Sequence, residues 1–156
     1  MFKFMGSIFI IIACSFLACR KSFYDYNSYL LLKETKEIAE KLKLTGVFGE
    51  KYTDLFEKIN LSECKFFKEF SFLERENFVL KLGENKFLYP QNVTNVGEFI
   101  LTLGEKNKSA ELEYITNNIH FFSQQAAELL ERYKANQKLN LIFGISVGII
   151  ISLVIL

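Results

Sequence analysis

Two stretches of this chain carry no charged residue, and they stand at its two ends. Phe4 to Cys19 (FMGSIFIIIACSFLAC) is the first and Leu139 to Leu156 (LNLIFGISVGIIISLVIL) the second. A helix rises about 1.5 Å per residue, so these runs reach roughly 24–27 Å, the short end of what crosses a hydrocarbon core. Between them, Ser22 to Lys138 hold all eighteen acidic residues and sixteen of the nineteen basic ones, a net of −2. This segregation predicts a transmembrane helix over 4–19, a cytoplasmic helical bundle over 22–138 and a second transmembrane helix over 139–156.

The first run has two competing readings. A cleaved signal peptide needs a small-x-small site, but Phe16-Leu17-Ala18-Cys19 runs straight into Arg20-Lys21. A lipoprotein signal places a lipidated cysteine after a Leu-Ala-Gly-like triplet, which Ile11-Ile12-Ala13-Cys14 and Phe16-Leu17-Ala18-Cys19 approximate poorly. A retained anchor fits best, with Cys14 and Cys19 as small apolar residues within it. Arg20 and Lys21 follow the first span; Arg132, Lys134 and Lys138 precede the second; Lys3 alone lies outside. The positive-inside bias therefore puts the middle domain in the cytoplasm. That compartment suits Cys64 as an unpaired thiol.

Within the second span, Gly144, Gly148 and Ser152 recur every four residues, a candidate packing stripe where another helix approaches closely. Glycine is also simply common in membrane helices. Cys14 and Ala18 repeat the spacing weakly in the first span.

The middle domain reads as helical, with five or six helices in one bundle. Its clearest signal is a heptad seam of candidate packing residues, Leu112, Ile115, Ile119, Phe122, Ala126, Leu129 and Tyr133. Ser109 is placed to cap that helix, Glu111 and Glu113 favour its dipole, and nothing breaks it before Gly144. The seam reads as a surface packed within its own domain rather than an oligomeric coiled coil. An earlier helix runs from about Asp25 to Leu44, with Leu31, Ile38 and Leu42 inward and Gly46 as its stop. Shorter helices are expected over Asp54–Ile59 behind Thr53 and over Glu63–Phe70 behind Ser62. Another is expected over Phe72–Leu82, opened by the capping box Ser71-x-x-Glu74. Asn85 to Asn95, with the only proline, reads as a loop, and Asn95-x-x-Glu98 opens a helix stopped by Gly104. Phe78-Val-Leu-Lys-Leu is the best strand candidate.

No catalytic, cofactor or metal site is legible. One histidine, His120, stands far from Cys64, so neither a zinc spacing nor a Cys-His pair forms locally. No phosphate-cradling glycine loop is present, and the carboxylates interleave with lysines at helix spacing, as on a solvated face. The aromatics Phe66, Phe67, Phe70 and Phe72 read as core, because no basic groove accompanies them and the net charge of +1 offers nucleic acid nothing. A membrane enzyme would need polar residues clustered at the spans, which Asn140 alone does not supply. The expectation is a non-enzymatic module with no cofactor, no small-molecule substrate and no nucleic-acid partner, with membrane lipid around its spans. The alternative is a lipoprotein-type extracytoplasmic binding or sensing module.

Three segments carry a family resemblance: the opening Met1-Phe-Lys-Phe-Met-Gly-Ser-Ile-Phe-Ile-Ile-Ile-Ala, the run Glu37-Ile-Ala-Glu to Val47-Phe48-Gly49, and Phe99-Ile-Leu-Thr-Leu-Gly104 ahead of the long helix and its glycine-bearing span. Together they resemble the stage III sporulation protein AB family of endospore formers. The family often has a proline after the aromatic-glycine corner, which this chain lacks, and an Asp and Gln where Asn107 and Glu111 stand here; Ser62 to Asn95 matches only in length. The resemblance implies a subunit of the secretion-like channel between mother cell and forespore, in the mother-cell membrane facing the forespore. Its soluble domain would be similar to the cytoplasmic domains of the inner-membrane platform protein F of secretion and pilus systems. Implied partners are other stage III sporulation A-operon proteins, including the ATPase, stage III sporulation protein AA. The resemblance transfers no catalytic residue.

Overall fold

A computed structural model of the chain describes residues 2–45, 61, 63–68, 70 and 75–155. Among these, the fold is all-helical without strands. Four helices are present: α1 (Phe2–Thr45), α2 (Arg75–Gly83), α3 (Pro90–Thr102) and α4 (Lys108–Ile155). The expected five or six are therefore four among the described residues. The shortfall is Glu63–Phe70, which is not α-helical where it is described, and Asp54–Ile59, which lies outside the described residues. The two flanking spans, expected as separate elements, are continuous with the bundle's first and last helices. The first apolar run and the helix predicted from Asp25 are one element, because no proline or glycine lies between Cys19 and Asp25 to break the ladder. The apolar run at the other end likewise continues the seam helix without interruption. At 44 and 48 residues, α1 and α4 are each about twice the roughly 20 residues that a span requires. Both carry a stretch long and apolar enough to cross a membrane.

Three local expectations are corrected. Of Glu63 to Phe70, the described residues, 63–68 and 70, form turns, bends and a 3-10 position instead of an α-helix, in which Cys64 N–H donates to the Leu61 carbonyl and Phe70 N–H to that of Phe67, each at 3.0 Å. A long-range contact ties this segment to α1: the Glu34 carboxylate, 31 and 32 positions away, accepts the N–H groups of Lys65 and Phe66 at 2.7 and 2.9 Å. The proline lies in no loop; it opens α3 at its first position, where the missing N–H costs nothing. The turn before it uses the Asn85 side chain, which accepts from Phe87 N–H at 3.0 Å, and Tyr89 N–H donates to Ser28 Oγ at 2.9 Å. The strand candidate over 78–82 lies within α2. Asp54–Ile59, Thr53, Gly46, Val47-Phe48-Gly49, Ser62, Phe72 and the Ser71–Glu74 box lie outside the described residues.

The helix ends follow from their residues. Gly104, at φ 81°, ends α3 in the left-handed region that glycine enters without strain. Asn107, rather than Ser109, caps α4, its side-chain oxygen accepting from Ala110 N–H at 3.0 Å. Glu111 in that first turn reaches back to accept from Gly104 N–H at 2.8 Å.

The chain divides into two compact units, Met1–Tyr26 with Leu129–Leu156, and Asn27–Glu128. The second has a closed core to which α1 contributes Leu31, Leu32, Ile38, Ala39 and Leu42, and α3 contributes Val96, Phe99 and Ile100. Phe67, Phe70 and Phe78 pack as a ring cluster, with centroids 4.6 to 6.0 Å apart. Phe99 stacks on Tyr114 at 5.9 Å and meets Phe122 edge-on at 5.4 Å.

Candidate functional site

The unit formed by the two chain ends is a helix pair, and small residues set its spacing. A Cβ at Gly144 would stand 2.6 Å from Ser15 Cα and 2.9 Å from the Cys14 carbonyl oxygen. One at Gly148 would stand 2.7 Å from Ile11 Cα. Both obstacles are backbone, which cannot swing aside as a flexible side chain would. Ser152 is buried too, and its hydroxyl donates to the Ser7 carbonyl at 3.4 Å. Gly144, Gly148 and Ser152 therefore lie against the chain's own α1, where closely approaching backbones gain dispersion contacts.

The outward faces of this pair are apolar. Phe9, Ile12, Phe16 and Leu17 on α1, and Ile142, Phe143, Ile150, Leu153 and Val154 on α4, are all more than half exposed. In water such a patch would be a liability; hydrocarbon is the solvent it suits.

Toward the charged side the packing turns polar. Asn140 Nδ2 donates to Ser22 Oγ at 3.2 Å. Arg132 stands 3.9 Å from the carboxylate of Asp25, whose side chain is fully buried while that of Arg132 is half exposed. Tyr26 and Tyr133 lie beside them, ring centroids 5.2 Å apart. Reading residues singly misses this layer, although its spacing is legible. Asn140 extends the four-residue interval of 144, 148 and 152, and Ser7, Ile11, Cys14, Ala18, Ser22 and Asp25 follow one another at steps of three and four.

The heptad seam is split in its burial. Ile115, Phe122, Ala126 and Leu129 are buried, Ile119 and Tyr133 partly so, and Leu112 at the seam's start is exposed. Glu111 takes the buried place there because its carboxylate is held by Gly104 N–H.

Among the described residues of the second unit, three groups bear on chemistry: His120, Cys64 and Tyr114. His120 is exposed, and no cluster of three His, Cys, Asp or Glu suited to a metal occurs among the described residues. Cys64 is a free, half-buried thiol. Burial pushes its pKa above the ordinary 9.0, and the negative charge of Glu34 adds to that, so it is a weak nucleophile at neutral pH. Tyr114 is likewise raised above 10.0, chiefly by burial.

Comparison with protein families, curated proteins and solved structures finds no match to this chain.

Proposed function

We propose that this protein is a non-enzymatic, membrane-anchored platform or adaptor subunit, held in the bilayer by two spans, with its bundle in the cytoplasm docking the ATPase of a sporulation channel. The observation that carries the anchoring half of the reading is the glycine-closed helix pair of Met1–Tyr26 with Leu129–Leu156, clad outside in apolar side chains. Five cations near the inner ends of the spans, against Lys3 beyond them, favour the cytoplasmic side for the bundle. The docking half rests on the resemblance to the stage III sporulation protein AB family carried by the opening segment, by residues 37–49 and by Phe99–Gly104.

The helix pair also weighs against a lipoprotein. Processing at Cys14 or Cys19 would remove Ser7 and Ile11, the partners of Ser152 and Gly148, and strand the terminal span. The intact mass of the membrane-extracted protein distinguishes the two, since lipidation shortens the chain and adds acyl mass.

Co-purification of the detergent-solubilised full chain with the ATPase stage III sporulation protein AA tests the docking role, and spore counts of a deletion strain test the pathway. Normal sporulation together with no membrane partner would overturn the proposal. An impermeant thiol reagent tests orientation: a cysteine at exposed position 86 stays unlabelled until the membrane is opened. Labelling in intact cells would reverse the topology.

A further inference from the structure

Within the second unit, α2 and α3 frame an open groove of about 580 Å³. Its depth comes from a close approach. A Cβ at Gly97 would lie 2.9 Å from Cγ1 of Val79, a branched side chain with little freedom to turn aside, so glycine lets α3 come up to α2. The walls are apolar: Val79 and Leu80 from α2, Val93 and Leu101 from α3. Leu80 is 68% exposed and stands beside the other apolar lining residues, so the groove presents a contiguous apolar surface. Gly83 lines the same groove and faces open space, with nothing within 4 Å of where a side chain would start.

Charge decides what such a groove accepts. Among the described residues, the two ionisable ones that line it are both acidic, Glu84 just past α2 and Glu98 on α3, while Arg75 at the Leu101 end donates to the Leu101 and Leu103 carbonyls. The lysines gather on the other flank of α2, where Lys65, Lys68 and Lys81 line a separate cleft of about 200 Å³. A short helix with a lysine-lined cleft on one flank and a carboxylate-rimmed apolar groove on the other is sorted by sign. We infer that the α2–α3 groove is a docking site for an amphipathic helix of a partner protein, whose apolar stripe covers Leu80 and Leu101 and whose flanking Lys or Arg residues meet Glu84 and Glu98. The recognition is helix-in-groove, with anchors at three- and four-residue spacing. Complementary rim charges steer the encounter and reject acidic helices. This deepens the adaptor reading and rests on it for the partner's existence, but the groove's chemistry stands by itself.

The test uses the full chain in phosphatidylcholine nanodiscs. The probe is a fluorescein-labelled amphipathic peptide of about five turns, leucine on one face and lysine on both flanks. Binding is read by anisotropy after subtraction of empty discs. Saturable binding is expected. Gly83→Phe, which fills the groove where space is open and φ is not positive, should weaken binding about tenfold or more, as should the pair Glu84→Lys with Glu98→Lys. The same peptide with glutamate in place of lysine should bind the doubly reversed variant and not the wild type. Unaltered circular dichroism keeps the exposed charge variants interpretable should Gly83→Phe misfold.

Signal no greater than on empty discs overturns the inference, as does binding indifferent to the charge swap. A concentration-dependent dimer lost in these variants would show that a second copy, not a partner helix, fills the groove, and would overturn it too. Probe binding with no co-purifying ATPase would sink the adaptor reading and keep the groove; co-purification undisturbed by the groove variants would do the reverse.

Discussion

The two units of this protein are held together by opposite means. In Asn27–Glu128, large side chains fill space: Phe67, Phe99 and Phe122 are essentially inaccessible, and cohesion comes from apolar area withdrawn from water. In Met1–Tyr26 with Leu129–Leu156, the inner face is built from Gly144, Gly148, Ser152, Cys14, Ala18 and Ser22, and the large side chains point outward. The difference separates two ways of packing helices. Water drives bulky groups inward; a pair whose bulky groups face outward is held instead by backbone proximity and hydrogen bonds, as suits helices long and apolar enough to cross a membrane.

That contrast breaks most visibly under exchanged substitutions. Phe99→Ala deletes the ring between Tyr114 and Phe122 and should cost the bundle roughly 4 kcal/mol. Denaturant unfolding followed by tyrosine fluorescence measures it. The same variant should leave untouched the yield of a disulfide between cysteines placed at positions 7 and 152, where Ser7 and Ser152 meet.

Gly144→Leu should do the converse at a cost of about 3 kcal/mol, since the added atoms meet backbone at Ser15 and Cys14. The 7–152 cross-link should fall while the bundle's unfolding midpoint holds. A variant that lowered both equally would erase the distinction between the units.

A smaller effect sharpens the account of the second unit. Glu34→Gln exchanges a carboxylate that accepts two backbone N–H groups for an amide with one acceptor, and should cost about 2 kcal/mol. Faster alkylation of Cys64 in this variant is the specific sign, because burial still raises the thiol's pKa but the added push of the Glu34 charge is gone.

The smallest effect is a pH dependence. Burial, and then Glu34, raise the Cys64 pKa in the folded chain, so the native state holds its proton longer than the unfolded state does. That contribution is complete below the ordinary value of 9.0 and is lost as pH climbs through the higher folded value. Stability of the bundle should therefore decline above pH 9.0, less steeply in Cys64→Ala.

Much of this was written in the residues. The charge-free runs are both helical, the seam from Ile115 to Leu129 is largely buried, and Leu31, Ile38 and Leu42 face inward as their spacing requires. Gly104 ends its helix for the reason glycine usually does. What resisted reading was tertiary. No local rule says that a carboxylate at position 34 will claim the N–H groups of 65 and 66, a pairing 31 and 32 positions apart in sequence. Pro90 misled because a proline among Asn and Gly looks like a loop, although it is equally at home at the first position of a helix. At the candidate site the glycine stripe was visible but its partner was not. Asp25 read as the start of a soluble helix, whereas it lies beside Arg132 within the unit made by the chain's ends.

The meeting of Ser7 with Ser152 spans 145 positions of sequence. Closure entropy grows only with the logarithm of the intervening length, so doubling what lies between would add about 0.6 kcal/mol. The length of what lies between is therefore a minor term in the pairing of the two chain ends, and lengthening an exposed turn within 27–128 should leave the contact of positions 7 and 152 in place.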